Sequence, residues 1–129
     1  MRRKKYVTVI ANWSTKLRPT QSPPTLPDPI HRFVEAVNRG DTEAFLAFLP
    51  EHGVVDDEGR RFIGHEAIRR WSDREFIGAK GRMTVTRVTQ TKNGASFNAD
   101  WKNNYYSGAS RFAFVLDGDR IRELCITGA

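Results

Sequence analysis

Residues 53–71, GVVDDEGRRFIGHEAIRRW, decide how the rest of the chain is read. Val54 and Val55 run into two acids, Asp56 and Asp57. Glu58-Gly59 then turns the chain, Arg61 to Ile63 returns as a short partner strand, and a helix begins after Gly64. Successive residues of a strand point to opposite faces, so Asp56 goes with Val54 and Asp57 with Val55. If the Val54 side looks inward, Asp56 is a carboxylate in apolar surroundings, where it can serve as a general base. On that reading Asp57 and Glu58 are turn residues in water.

The flanks give this hairpin its setting. Upstream, Asp28-Pro29 reads as a helix start, and Ile30, Phe33, Val34 and Val37 fall on one helical face. Gly40 closes that helix, Asp41 opens a shorter one bearing Phe45, Phe48 and Leu49, and Pro50 stops it. In the helix after Gly64, Glu66 lies in the first turn, Arg69 and Arg70 lie further along, and Ala67, Ile68 and Trp71 face inward. From Met83 the pattern turns to β-branched residues, MTVTRVTQT, followed by the hairpin signal Asn93-Gly94. Phe97, Ala99 and Trp101 alternate with polar residues, and Ser110, Phe112, Phe114 and Leu116 share another face. A looser turn covers Asn103 to Gly108, and Asp117-Gly118 leads into a last strand, Arg120 to Thr127. Helices first and strands later predict an α+β domain, with three helices packed on one face of a curved, mostly antiparallel sheet. If the sheet curls, the two layers enclose a pocket.

Composition narrows the function. A chain of 129 residues with one cysteine is a single domain without an internal disulfide. The net charge of +6 is uneven. Residues 1–20 carry six basic residues and no acid, while residues 21–129 carry 15 of each sign. The domain itself therefore lacks the basic bias of a nucleic-acid binder. Residues 1–27 read as a basic, proline-rich, disordered arm and residues 28–129 as the domain, because PTQSPPTLPDP at 19–29 holds five prolines. MRRKK followed by YVTVIANW lacks a small-residue cleavage site, and no apolar run reaches membrane-spanning length, so a cytoplasmic location is expected.

Three stretches carry a family resemblance: FVEAVNRGDTEAF at 33–45, VVDDEGRRFIGHEAI at 54–68 and RFAFVLDGDRI at 111–121. In this order and spacing the chain resembles the nuclear transport factor 2-like superfamily, nearest its SnoaL-like branch, over roughly residues 28–127. The resemblance implies a cone-shaped α+β barrel with a deep pocket, often paired into a homodimer through the outer sheet face. In the ketosteroid isomerases of this superfamily a carboxylate on the first short strand is the base, and by register it falls on Asp56. Their two oxyanion-hole donors fall on Phe33 and Phe112, whose rings donate no hydrogen bond, so steroid-isomerase chemistry is not implied here.

The candidate catalytic residues are Asp56 and His65, the latter at the start of the third helix as an acid/base partner. The candidate ligand contacts are Phe33, Trp71, Trp101, Tyr105 and Phe112, with Tyr106 beside Tyr105 in a loop at the mouth. No histidines have metal-ligand spacing, and neither a metal nor a cofactor is expected. Cys125 reads as a small apolar residue. Two functions stand open. One is a small-molecule-binding protein acting as a cofactor-independent isomerase, cyclase or hydrolase with Asp56 as base. The other is a non-catalytic ligand-binding or dimerising module with Asp56 structural.

Overall fold

The computed structural model describes residues 26–129, so the basic arm expected over residues 1–27 falls almost entirely outside the described residues. Helix α1 spans Asp28–Asn38. Its N-cap is Pro27 rather than Asp28. Asp28 instead sits in the first turn and pairs with Arg32 at 3.1 Å, one helical turn on. Ile30, Phe33, Ala36 and Val37 are the buried stripe. Gly40, at φ +75°, occupies the left-handed position that stops α1, as its sequence position predicts. Helix α2, Thr42–Ala47, is capped by Asp41, whose Oδ1 accepts the Ala44 N–H at 3.0 Å. Helix α3 spans His65–Glu75 and buries Ile68, Trp71 and Ser72.

Six strands follow in one sheet. They are β1 (Val54–Asp57), β2 (Arg60–Ile63), β3 (Arg82–Thr91), β4 (Gly94–Lys102), β5 (Ser107–Asp117) and β6 (Arg120–Gly128). Their order across the sheet is β2-β1-β6-β5-β4-β3. Only β1 against β6 is parallel. The sheet stays open, with β2 and β3 as its two edges, so the closed barrel expected from the sequence is corrected to an open sheet.

The β3-β4 hairpin shows how a motif can be right in place and wrong in detail. Thr91 pairs with Gly94, so Lys92 and Asn93 make the turn and Gly94 already belongs to the strand. Glycine is needed there for room, not for turn geometry: a Cβ would lie 2.3 Å from the Phe114 carbonyl oxygen on β5.

The helices cover one sheet face, and aromatic rings fill the space between. Phe33 of α1 meets Phe45 at 5.6 Å and Phe114 of β5 at 5.2 Å between ring centroids. Phe76, just after α3, is stacked between Trp71 at 4.7 Å and Trp101 at 4.8 Å. Phe112 lies 6.4 Å from Phe76 and 5.3 Å from Phe97. These rings are all buried. Around Phe76 the large residues of helix and sheet interdigitate at ordinary packing distances, and the described residues show no deep apolar pocket there. One cleft opens at the end of the sheet where α3 and β1 finish.

Candidate functional site

The site begins with the register of β1. Val55 is fully buried and Val54 only partly so, hence the Val55 face looks toward the helices. Asp57 shares that face and Asp56 does not. The side to which the sequence reading assigned Asp56 is therefore the outer one. A neighbouring ring explains the choice. Phe62, paired with Val55 across the β1-β2 hairpin, stacks on Trp71 at 5.9 Å and ties the Val55 side of the hairpin to α3.

Asp57 is held from two sides. Its Oδ2 accepts the indole N–H of Trp71 at 3.0 Å and an Arg60 N–H at 2.6 Å. Its Oδ1 receives no donor among the described residues. Arg60 also grips Glu75 at the end of α3 with two hydrogen bonds, of 3.0 and 2.8 Å. Bidentate binding of this kind fixes both partners in plane. The Arg60 hydrogen bonds hold the Glu75 carboxyl below the usual range, against the opposing effect of partial burial. They likewise push the Arg60 guanidinium further above its ordinary value. Arg60 lies 5.7 Å from the centroid of the Phe62 ring, so the hairpin, α3 and the ion pairs lock together.

Beside Asp57 lies a cleft of about 330 Å³, lined by Asp57, Glu58, Glu75, Trp101, Tyr105 and Tyr106 among others. Its rim is built by the loop between β4 and β5. Asn103 Oδ1 accepts the N–H groups of both Tyr105 and Tyr106, at 2.8 Å each. The Asn103 side-chain amide donates to the Glu75 carbonyl at 3.3 Å, and the Asn104 N–H to the Ala79 carbonyl at 2.9 Å. One asparagine thus pins the loop to itself and to α3. The tyrosine rings are left in solvent, 80% exposed for Tyr105 and 54% for Tyr106. Tyr105 stands free and Tyr106 folds back over Gly108, and on this fixed loop the two rim the cleft beside the carboxylate.

The remaining predicted residues fall elsewhere. Asp56 accepts the Gly59 N–H at 2.9 Å and lies 3.6 Å from Arg61, on the outer face beside Cys125. These are contacts of a hairpin turn. Burial pushes the Cys125 thiol up, and the Asp56 charge adds to that. His65 Nε2 lies 2.6 Å from the Leu49 carbonyl. A carbonyl only accepts, so this nitrogen carries the proton, and the ring fastens the start of α3 to the end of α2. His65 does not line the cleft. Phe33 and Phe112 are core residues, 0% and 1% exposed. Of the predicted ligand contacts, Trp101 and Tyr105 line the cleft, and Trp71 supports it from behind through Asp57.

Sequence reasoning missed Asp57, Arg60, Glu75, Asn103 and Phe76 as parts of this region. The Asn-Asn-Tyr-Tyr run was a usable signal for the rim, since an asparagine before two tyrosines is a turn former beside rings. Glu75 and Arg60 are 15 residues apart and gave none. Among the described residues no group of three His, Cys, Asp or Glu side chains converges to hold a metal ion. No described helix is long and apolar enough to cross a membrane.

Comparison with known proteins places this arrangement. No curated protein matches the sequence. A candidate polyketide cyclase from Sinorhizobium meliloti is similar in structure, with a TM-score of 0.73 and 26% identity over 79% of this chain and 95% of that one. A protein of ketosteroid isomerase-like fold from Catenulispora acidiphila, solved in complex with trimethylamine, gives a TM-score of 0.68 at 15% identity, covering 81% of this chain and 88% of that one. The Orange Carotenoid Protein of Anabaena, solved with canthaxanthin, gives 0.70 at 14% identity over 83% of this chain and 37% of that one. The last two likenesses are of fold alone. The sequence model of the SnoaL-like domain matches residues 30–123, and with the three helices on a mostly antiparallel sheet already traced, the chain belongs to the SnoaL-like family of the nuclear transport factor 2-like fold.

Proposed function

We propose that this protein binds a small organic molecule in the cleft over Asp57, and that Asp57 rather than Asp56 is the acid that meets it. One observation carries the reading. Asp57 lines the cleft with Oδ2 fixed by Trp71 and Arg60 and with Oδ1 left without a donor among the described residues. A carboxylate oriented through one oxygen can accept a ligand's O–H or N–H through the other, or take a proton from it. The hydroxyls of Tyr105 and Tyr106 and the guanidinium of Arg60 are the nearby donors suited to a developing negative charge. A cofactor-independent isomerase, cyclase or hydrolase could run on these groups. The solid aromatic interior favours a ligand seated at the mouth over one swallowed whole.

The second reading is a binding or dimerising module. It is favoured by the purely local contacts of Asp56 and by the outer sheet face, where Ile63, Val54, Glu123 and Val115 lie in one row, three of the four apolar. That row suits a second copy of the chain. One experiment separates the readings. Carbonyl and ester fragments are screened by thermal shift and then for turnover, in wild type, Asp57→Asn and Asp56→Asn. Binding lost in Asp57→Asn and kept in Asp56→Asn supports the cleft, and turnover lost in the same variant supports catalysis. Saturable binding without turnover supports the module. Binding indifferent to Asp57 refutes the proposal.

A further inference from the structure

A second and larger cleft, of about 570 Å³, opens between the end of α1 and the turn leading into β3. It shares no lining residue with the Asp57 cleft. Arg39, Lys80 and Arg82 line it, no acid does, and Asn38 and Thr42 add polar groups. From these residues we propose that it binds a small organic oxyanion, a molecule bearing a phosphate or carboxylate group.

Its walls are fixed. Asn38 Oδ1 accepts the Met83 N–H at 2.8 Å and its amide donates to the Met83 carbonyl at 2.9 Å, clamping the start of β3 to α1. Arg82 donates to the Asn38 carbonyl at 3.2 Å. Arg39 is steadied by Asp41, at 3.2 Å. Lys80 has no partner among the described residues. The end of a helix ordinarily repels an anion, because its last carbonyls are free. Here those carbonyls are occupied. The Gly40 N–H returns to Val37 and the Asp41 N–H to Ala36, and the Lys80 N–H returns to Ile77 and the Gly81 N–H to Phe76.

Those two sets of bonds follow the same left-handed pattern, once at the end of α1 and once in the turn over residues 77–80. In the first, glycine holds the left-handed position, Gly40 at φ +75°. In the second a lysine does, Lys80 at φ +59°. Glycine is the unstrained choice at such a position. The other non-glycine residue at positive φ among those described is Glu58, in the tight β1-β2 turn. A strained lysine where glycine would serve, unpaired, beside two arginines and over open space, is accounted for by what its ammonium group holds. Lys80 and Arg82 on one wall, facing Arg39 on the other, select an oxyanion. The volume is that of a site for a whole small molecule rather than for a bare phosphate ion.

The test uses the full chain and inorganic pyrophosphate as probe, followed through backbone amide resonances at low ionic strength. Saturable shifts are expected at Gly40, Thr42, Gly78 and Lys80, with binding weakened tenfold or more in Lys80→Gly. The same variant is expected to melt no lower than wild type, since glycine relieves the backbone there. A buried structural role for Lys80 would instead lower the melting temperature and overturn the proposal. So would absent or non-saturating shifts, or shifts unchanged in Lys80→Gly, which would place the anion elsewhere on the chain. A short oligonucleotide moving these amides at lower concentration than pyrophosphate would replace the small-molecule reading with a polyanion one.

Discussion

Phe76→Ala tests whether the space between the layers is as full as described. Phe76 is 2% exposed, sits between the indoles of Trp71 and Trp101, and touches Phe45 at 5.8 Å and Phe33 at 6.2 Å. Removing a buried phenyl ring costs about 3–5 kcal/mol, from lost transfer energy and from the cavity left behind. The upper half of that range applies here, because two indoles lose a stacking partner at once and the flanking sheet is too constrained to collapse. For a domain of about 100 residues each kcal/mol lowers Tm by roughly 4–8 °C, so a fall of about 16–40 °C is expected. Thermal and urea unfolding followed by circular dichroism give the number. Should Phe76→Ala prove too unstable to purify, Phe76→Leu is expected to lose only about 1–2 kcal/mol. Benzene or indole should bind the new cavity and restore part of the loss in proportion to RT ln(1 + [L]/Kd). A loss below about 1.5 kcal/mol with no rescue by either ligand would refute the reasoning. The region between Trp71 and Trp101 would then be loosely filled, and a deep pocket would return as the natural ligand site.

Two further outcomes follow from the acids. Asp57→Ala leaves the buried Trp71 N–H without an acceptor and should cost about 2 kcal/mol, whereas Asp56→Ala loses a turn hydrogen bond and a weak ion pair and should cost about 1 kcal/mol. A double-mutant cycle of Asp57→Ala with Trp71→Phe checks the larger figure, and additive losses would contradict it. Glu75, held below its usual range by Arg60, contributes stability that is present above its unfolded value near ~4.3 and lost as pH falls through the lower folded value. Glu75→Gln should therefore make the acid limb of the stability curve shallower below about pH 4, with little change in its shape at neutral pH.

Much of this was written in local signals. Gly40, Asp41, Pro50 and Gly64 mark helix ends, and the apolar spacing in 30–37 and the alternation in 97–101 mark which faces are buried. The facing of β1 was not legible. A two-residue turn pairs Val55 with Phe62 and Val54 with Ile63, so both faces of the hairpin are apolar and alternation cannot choose between them. The choice is made by Trp71, which stacks on Phe62 and donates to Asp57 from another element. The same holds for the filled interior. Each of Phe33, Trp71 and Trp101 reads as buried, but whether they line a void or fill it depends on how several elements interlock. Closure failed to appear for a related reason. Barrel closure needs the two edge strands to meet, and nothing in β2 or β3 encodes that they stay apart.

The indole N–H of Trp71 is the most direct reporter on the central claim, because it donates to the acid said to receive the ligand. Its proton–nitrogen resonance should be followed while the best fragment from the thermal-shift screen is titrated into wild type, Asp56→Asn and Asp57→Asn. The resonance is expected to move saturably in wild type and in Asp56→Asn, and to stay still in Asp57→Asn. Movement that survives Asp57→Asn and disappears in Asp56→Asn would contradict the account and return the working acid to the outer face of the hairpin.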